Sequence, residues 1–148
     1  MIIIRKVFDC EIESLICFYK EYIESSNYME SEFIVAFDNS KSLGFAQIVL
    51  DESIAEIRML YVNPDARQQG MGDGILRTTL NYLEKQGYRW VMVRNNDNLK
   101  DFFIKKGFKS LDSSNILLEL GSIPSNYQNS ESYYCNIPDF FEKGCKKR

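Results

Sequence analysis

The chain of 148 residues contains no histidine. This absence excludes imidazole-based catalytic triads, histidine metal ligands and imidazole acid or base chemistry. A proton transfer must therefore use a carboxylate, a tyrosine, a thiol, an amine or water. The cysteines form no CxxC pair and fall into two distant groups, which is unlike a zinc site or a disulfide framework. We expect no metal, and reduced, mostly structural thiols at Cys10, Cys17, Cys135 and Cys145.

The sequence also lacks a long apolar run, since none approaches the roughly 18 residues of a membrane span. The opening "MIII" is followed at once by Arg5 and Lys6, which is unlike a secretory signal. Because the isoelectric point is near 5.1, no general basic surface for nucleic acid is expected. These absences predict a cytoplasmic protein that binds neither a membrane nor nucleic acid.

The length of 148 residues suits one domain with a single site. After Gly121 the composition shifts toward Ser, Asn and Tyr, with two prolines and a basic end. We predict a domain at residues 1–121 and an aromatic, polar C-terminal tail at residues 122–148. The aromatic residues of the tail favour docking, on the domain or on a second copy, over disorder. A monomer and a homodimer therefore both remain open.

Charge is distributed unevenly along the chain. Residues 1–60 hold eleven acidic and five basic residues, whereas residues 61–148 hold ten acidic and thirteen basic ones. An acidic half suits a cationic ligand and a mildly basic half suits an anionic one. Chance variation of surface charge gives the same pattern, so charge alone assigns no ligand.

Apolar periodicity predicts an α+β fold with a mixed sheet. A strand, "IIIRKV", is followed by a helix with Asp9 as candidate N-cap, and then by an antiparallel meander of three strands. A second helix ends near Gly87, and "YRWVMV" is a strand reached by a helical crossover, hence parallel to the strand before it. A short helix stopped at Gly107 and two strands, "FKSL" and "NILLEL", close the sheet. We thus expect about seven mostly antiparallel strands with helices on both faces.

The stretch "YVNPDARQQGMGDGIL" joins a strand to a helix through three alternating glycines. It lacks the lysine of a Walker A loop, and it does not carry GxGxxG directly after a strand, as a dinucleotide-binding fingerprint would. Glycines at positions 70, 72 and 74 let the backbone approach a ligand closely, and the free N–H groups of a helix start favour phosphate. The alternative is a helix entry that binds nothing. Because glycine costs up to about 1 kcal/mol in a helix, three of them favour the phosphate site.

Two segments carry a resemblance to a known family. "AEIRMLYVNPDARQQGMGDGIL" resembles the core of the GNAT superfamily of N-acetyltransferases, in which a strand ending in L-x-V-x-P precedes [QR]-x-x-G-x-[GA] at a helix start. "NDNLKDFFIKKGF" resembles the second element of that family, N-x-x-A-x-x-x-Y-x-x-x-G-F. The matching positions are Arg67, Gly70 and Gly72 in the first motif and Asn96, Gly107 and Phe108 in the second.

The resemblance implies a GNAT-like fold and direct transfer of an acetyl group from acetyl-coenzyme A (acetyl-CoA) to an amine of a small molecule or peptide. Acetyl-CoA would be the co-substrate, with its pyrophosphate on the loop N–H groups and its pantetheine arm where the parallel strands splay apart. A cationic amine acceptor would suit the acidic first half. The implied cofactor-binding residues are Leu60, Tyr61, Val62, Arg67, Gln68, Gln69, Gly70, Met71, Gly72, Asp73, Gly74, Asn96 and Phe103.

Acetyl transfer requires a neutral amine, but an alkylamine with a pKa of about 10.4 is protonated at pH 7. Glu56 is the candidate base, acting directly or through a water, because it lies on the strand that leads to the glycine loop. The alternative for Glu56 is a surface carboxylate paired with Arg58, two residues along the same strand.

The family commonly has a tyrosine that protonates the leaving thiolate, and Phe103 stands at that position here. Phenylalanine has no proton to give. A thiolate with a pKa near 8.5 still leaves tolerably, and water can protonate it. Tyr61 is a catalytic candidate for the missing acid, as are Tyr133 and Tyr134 of the tail.

Further departures concern the coenzyme site. Leu99 replaces a small alanine, which predicts a tighter channel, and Asp73 places a negative charge beside the pyrophosphate, which predicts modest coenzyme affinity. Lys100, Lys105 and Lys106 either meet the adenosine 3′-phosphate or form a solvated helix face. Phe103 and Asp73 favour a second hypothesis, a non-catalytic acyl-CoA-binding or interaction module on the same fold.

Overall fold

The computed structural model describes residues 1–23, 31–50, 54–94, 99–110 and 132–146. They form a seven-stranded sheet in the order β1-β2-β3-β4-β5-β7-β6, with helices on both faces. The strands are β1 (Ile2–Lys6), β2 (Ser31–Asp38), β3 (Lys41–Leu50), β4 (Ile54–Val62), β5 (Trp90–Arg94), β6 (Lys109–Ser110) and β7 (Ser132–Asn136). The α-helices are α1 (Ile12–Phe18), α2 (Met71–Lys85), α3 (Lys100–Lys105) and α4 (Ile137–Lys146). The predicted α+β class and mostly antiparallel sheet are confirmed.

The parallel pair of the sheet is formed by β4 and β5. Strands β1 to β4 form the predicted antiparallel meander, and β5 returns beside β4 after the crossover through α2. The parallel register runs from Ile54 opposite Trp90 to Ile57 opposite Val93, whereas β4 continues to Val62. Beyond Ile57, the described part of β5 therefore provides no partner for β4.

A β-bulge in β4 coincides with this separation. Gln47 of β3 faces Met59, and the next residue, Ile48, faces Ile57, so Arg58 is an extra residue on β4. A bulge bends its strand and increases the local twist. It therefore contributes to turning the end of β4 away from β5, and it opens space at the edge of the sheet.

Helix α2 covers one face of the sheet and has the predicted limits. It begins directly after Gly70 and ends before Gly87, whose φ of +94° suits glycine. Its buried side chains pack on β2, β3 and β4, and each large one contributes about 1.5–3 kcal/mol. The residues that form this face are Ile75, Leu76, Thr79, Leu80 and Leu83. This packing fixes the start of α2 beside the end of β4.

The first helix begins later than the predicted cap at Asp9 implies. Asp9 to Glu11 form a 3₁₀ turn before α1, so the prediction of Asp9 as N-cap was wrong. The Glu11 carboxylate caps the start of this turn instead, because it accepts a hydrogen bond from the Phe8 backbone N–H at 2.8 Å. Ile23 lies in a turn that follows the helix, where its N–H donates to the Tyr19 carbonyl, and its side chain is buried in the cluster around Leu15.

The C-terminal residues complete the sheet. Strand β7 lies between β5 and β6 and pairs with both in antiparallel register, so residues predicted to dock as a tail supply a strand instead. Asn136 then caps α4, since its Oδ1 accepts a hydrogen bond from the Asp139 N–H at 3.0 Å. The predicted strand "NILLEL" and the boundary at residues 121/122 lie outside the described residues, so that division stays a prediction.

None of the helices in the described ranges combines the length and the apolar character needed to cross a membrane. Within the same ranges, no group of three or more Cys, Asp or Glu side chains is arranged to hold a metal ion. Cys10, Cys17 and Cys135 carry free thiols, with Cys10 and Cys17 exposed and Cys135 buried.

One ion pair near the start of α1 makes stability depend on pH. Arg5 donates to both carboxylate oxygens of Glu11, at 2.8 Å and 2.9 Å. These bonds lower the pKa of Glu11 from 4.5 to about 2. The folded-state pKa is thus the lower one, so this contribution to stability is complete above about pH 4.5 and is lost as the pH falls toward about 2.

We expect the free energy of unfolding to fall across that window, and Glu11→Gln to show a smaller fall because it has no carboxylate to protonate. Urea denaturation of both proteins at several acidic pH values measures the difference. Equal falls in the two proteins would contradict this role for Glu11.

Candidate functional site

A cleft of about 660 Å³ opens where β4 extends beyond β5. Its floor is the end of β4 that extends past β5, and α3 and the turn after α1 provide its walls. The lining residues are Tyr22, Met59, Leu60, Tyr61, Val62, Arg67, Gly72, Leu99 and Phe102. Most of these side chains are aliphatic or aromatic, so the cleft is an apolar groove with one positive charge, Arg67, among the described lining residues.

A second cavity of about 380 Å³ continues this cleft to the start of α2. Four residues line both cavities, which makes them one continuous groove: Val62, Arg67, Gly72 and Phe102. The remaining lining residues of the second cavity are Gln68, Gly70, Met71, Asp73, Lys105 and Lys106. The groove thus runs from an apolar strand edge to a helix N-terminus with basic side chains nearby.

The glycine loop presents backbone N–H groups at this second cavity. Gln68 and Gly70 have φ values of +66° and +75°, which turn the chain tightly into the helix. The Gly74 N–H donates to the Gly70 carbonyl at 3.0 Å, so the N–H groups just before it belong to the first turn, where helix geometry provides no partner. At Gly72 a side chain would meet the Phe102 ring at 3.5 Å, so glycine keeps the groove open.

Asn63 anchors the loop to the body of the domain. Its Nδ2 donates to the Ser42 carbonyl at 2.9 Å, and its Oδ1 accepts a hydrogen bond from the buried Tyr19 hydroxyl at 2.9 Å. The Asn63 carbonyl accepts from the Ala66 N–H at 2.9 Å, in the 3₁₀ turn that starts at Pro64. These bonds fix the exit from β4, a role that the sequence did not reveal because Tyr19 is 44 residues away.

Arg67 lies where the two cavities meet. Its Nε donates to the Val62 carbonyl at 2.8 Å, and its guanidinium lies 5.5 Å from the centre of the Tyr61 ring. Both contacts hold the side chain along the end of β4 while the rest of the guanidinium faces the groove. The residue matched to the loop motif therefore brings a fixed positive charge to the groove.

Asp73 is not an isolated negative charge. Lys106 contacts its carboxylate at 2.7 Å and Arg77 at 2.9 Å. Burial alone would raise the pKa of Asp73, but hydrogen bonds from Lys106 and Arg77 outweigh burial and lower it. Asp73 therefore stays ionised, and it holds Lys106 of the α3 end against α2, beside the second cavity.

Two tyrosines form one wall of the first cavity. The Tyr22 ring stacks on Tyr61 with 4.0 Å between ring centres and an interplanar angle of 19°. The Tyr22 hydroxyl beside it, together with partial burial, raises the pKa of Tyr61 above 10.0. Tyr61 lines the cleft, and its role as the acid stays a prediction. Tyr22 itself was not singled out from the sequence.

Glu56 pairs with Arg58, as the alternative interpretation expected, but the pair is buried rather than on the surface. The exposed fractions of the two side chains are 5% and 10%. Glu56 opposes Val49 and Met59 opposes Gln47 on β3, so the bulge leaves Glu56 and Met59 as neighbouring positions on one face of the sheet. Glu56 therefore lies one side-chain position from the cleft, although it is not among the lining residues.

The predicted cofactor-binding residues divide into three groups. Nine line the groove: Leu60, Tyr61, Val62, Arg67, Gln68, Gly70, Met71, Gly72 and Asp73. Gln69, Gly74 and Phe103 do not line it. Asn96 lies outside the described residues. Met59 and Phe102 were missed, although their spacing from Tyr61 on β4 and from Leu99 at the start of α3 would have indicated the same faces.

Phe103 is a core residue in this fold. Its side chain is buried, with 1% exposed, and its ring packs against Phe102 and Phe108. The neighbouring Phe102 borders both cavities instead. The position where the family has its tyrosine thus carries no hydroxyl and faces the interior.

Comparison with known proteins agrees with this geometry. The pattern of the Acetyltransferase (GNAT) domain matches residues 8–117. An uncharacterised N-acetyltransferase of Methanocaldococcus jannaschii is 30% identical over 54% of this chain and 40% of its own length. The spermidine N(1)-acetyltransferase of Thermoplasma acidophilum is 27% identical over 67% of this chain and 65% of its own length. The chain therefore spans less than two thirds of both curated relatives.

A solved structure shares the fold. The crystal structure of PaiA N-acetyltransferase from Thermoplasma acidophilum in complex with coenzyme A superposes with a TM-score of 0.64 at 19% identity, covering 92% of this chain and 99% of that one. At that identity the likeness concerns the fold alone. Because the domain pattern matches most of the chain, residues 8–117, the chain belongs to the GNAT acetyltransferase family.

Proposed function

We propose that this protein is an N-acetyltransferase that moves an acetyl group from acetyl-CoA directly to an amine. One observation carries the proposal: a continuous groove joins the unpaired edge of β4 to the glycine-rich start of α2. Its two ends differ in chemistry, as the two parts of acetyl-CoA do. The apolar end suits the pantetheine arm and the helix start suits the pyrophosphate.

The pyrophosphate end is assigned to the N–H groups at residues 68–73. A helix N-terminus carries a partial positive charge and unpaired donors, both of which favour an anion. Arg67, Lys105 and Lys106 add positive side chains around the same cavity. Gly70 and Gly72 leave room for close approach of the ligand to the backbone, so the residues present fit the group.

The binding site of the pantetheine arm is assigned to the edge of β4. Residues Met59 to Val62 pair with β3 on one side and lack a described partner on the β5 side. Apart from the Val62 carbonyl, which accepts from Arg67, the backbone groups that point toward β5 are available to amide groups of pantetheine. Leu99 and Phe102 face this edge from across the groove and supply apolar contacts. Leu99 stands where the family has a small residue, so we expect a tighter channel at this point.

Glu56 is proposed as the base. Neighbouring positions on one strand face lie about 7 Å apart, so a single water can join the Glu56 carboxylate to an amine beside Met59. The bound acetyl-CoA supplies the acyl carbonyl and a thiolate leaving group. The nitrogen attacks that carbonyl, the C–S bond breaks, and the amine proton passes toward Glu56. Because Phe103 carries no hydroxyl, the thiolate leaves as the anion and takes its proton from the solvent, which its pKa near 8.5 allows.

Thiol release tests the activity. Acetyl-CoA is mixed with the protein in the absence and presence of primary amines, and free coenzyme A is measured with a thiol reagent. We expect amine-dependent release together with an acetylated amine detected by mass. Binding of acetyl-CoA without release from any amine would favour the non-catalytic module and overturn the enzyme proposal.

Asp73 is expected to weaken coenzyme binding, so Asp73→Asn should tighten it by about threefold to fivefold. The substitution removes a negative charge near the proposed pyrophosphate site and frees Lys106, and each effect near a helix N-terminus is worth a fraction of a kcal/mol. Calorimetric titration of coenzyme A at low salt measures the change. Weaker binding in Asp73→Asn would show that Asp73 serves to position Lys106 for the ligand.

A further inference from the structure

Tyr22 is the outermost aromatic ring of the cleft, and it stacks on Tyr61, which is supported by buried rings. Tyr61 contacts Tyr19 and Phe45 at 5.9 Å and 6.1 Å between ring centres, and both of these rings are buried. The Tyr19 hydroxyl is tied to Ser42 and Asn63. Tyr22 stacks on Tyr61 from outside and remains 41% exposed. The cleft therefore ends in an exposed aromatic face that packing holds in place.

The residues around this aromatic face favour an acceptor with an apolar, flat substituent. Tyr22, Met59 and Tyr61 lie together at the end of the groove farther from the helix N-terminus, and Met59 is the neighbour of Glu56 on the sheet. An amine that reaches Glu56 past Met59 therefore brings its substituent against the two tyrosines. Among the described lining residues of this cavity the only charged side chain is Arg67, which is positive. The additional ammonium groups of a polyamine would gain no carboxylate from those residues.

We propose that the acceptor is an arylalkylamine, whose ring stacks on Tyr22 while its amino group lies beside Met59 and Glu56. The inference rests on the proposed acetyltransferase function and specifies its substrate class. Aromatic rings in offset stacks gain binding energy beyond that of their buried area. The ring of the acceptor would extend the existing stack of Tyr22 and Tyr61 by one ring. A linear alkylamine of similar length gains burial but no stacking.

The test compares phenethylamine, hexylamine and spermidine at saturating acetyl-CoA. We expect kcat/KM for phenethylamine to exceed that of hexylamine by about fivefold, which is a typical stacking contribution. Tyr22→Ala should raise KM for phenethylamine by about fivefold more than for hexylamine, which loses burial but no stacking, and should change kcat little. Tyr22→Phe should retain the preference, because the ring is kept and only the hydroxyl is lost.

Phe18→Ala is the matched control. Phe18 is another exposed aromatic residue near the same turn, with 64% of its surface exposed, but it does not line the cleft. We expect wild-type KM values for all three amines in this variant. If Tyr22→Ala does not fold, Tyr22→Leu keeps an apolar side chain and should lose the preference in the same way.

Two outcomes would overturn the arylalkylamine proposal while leaving the acetyltransferase intact: equal or higher kcat/KM for spermidine, or a Tyr22→Ala effect that is the same for every amine. Failure of the acetyltransferase itself has a different signature, namely no thiol release with any amine. In that case saturation-transfer NMR of phenethylamine on coenzyme A-loaded protein decides the aromatic site. A signal that Tyr22→Ala abolishes supports it, and no signal in the wild type overturns it.

Discussion

Glu56→Gln is expected to lower kcat/KM at pH 7 by about 100-fold to 10,000-fold, the range that a positioned general base contributes. The amide keeps the size of the side chain but accepts no proton. The loss should shrink as the pH rises toward the amine pKa of about 10.4, because the fraction of neutral amine then grows without help from the protein. Initial rates of thiol release across pH measure this dependence.

Structural damage must be separated from loss of a base, because Glu56→Gln also removes the carboxylate partner of the buried Arg58. Glu32→Gln is the matched control. Glu32 lies on β2, contacts Lys6 at 2.6 Å, and does not line the groove. It should lose stability without a pH-dependent loss of rate. A deficit in Glu56→Gln that stays constant across pH would contradict the role of Glu56 as the base.

Gly70→Ala should weaken acetyl-CoA binding by about 10-fold to 30-fold. At φ +75° an L-residue with a side chain is strained by roughly 1–2 kcal/mol, so the free loop relaxes and must be forced back when the ligand binds. Calorimetric titration with acetyl-CoA measures the loss.

Gly87 supplies the control for this experiment. Its φ of +94° imposes the same kind of strain, and like Gly70 it has open space where a Cβ would stand, but it lies at the opposite end of α2. Gly87→Ala should lower the melting temperature and leave binding unchanged. Equal losses of affinity in both variants would mean that general destabilisation, not the loop, explains the effect.

Local patterns predicted most of the fold. Alternating apolar residues gave the meander, and the positive-φ glycines marked the ends of α2 and α3 correctly at Gly87 and Gly107. Asp9 was mistaken for a cap because short polar residues favour that position, whereas Glu11 reaches back to the Phe8 N–H. The strand from residues 132–136 was missed, since its place in the sheet depends on long-range pairing with β5 and β6.

The site was predictable where it follows one segment of chain, and less so where distant segments meet. The glycine loop was found from its glycine spacing, and the end of β4 from the family resemblance; nine of the residues predicted there line the groove. The bulge at Arg58 depends on how β3 and β4 register, which one strand does not encode. Tyr22 lies 39 residues before Tyr61, so their stacking appears only once the turn after α1 packs beside β4. The burial of Glu56 follows likewise from the tertiary packing.

The central claim is that the groove from β4 to the start of α2 binds acetyl-CoA. Calorimetric titration of the full chain with acetyl-CoA tests it most directly, with Gly70→Ala as the comparison. We predict saturable binding at one site per chain, weakened about 10-fold or more by the substitution. Absence of binding to the folded wild-type protein, or equal binding by both proteins, would contradict the assignment of the glycine loop as the pyrophosphate site.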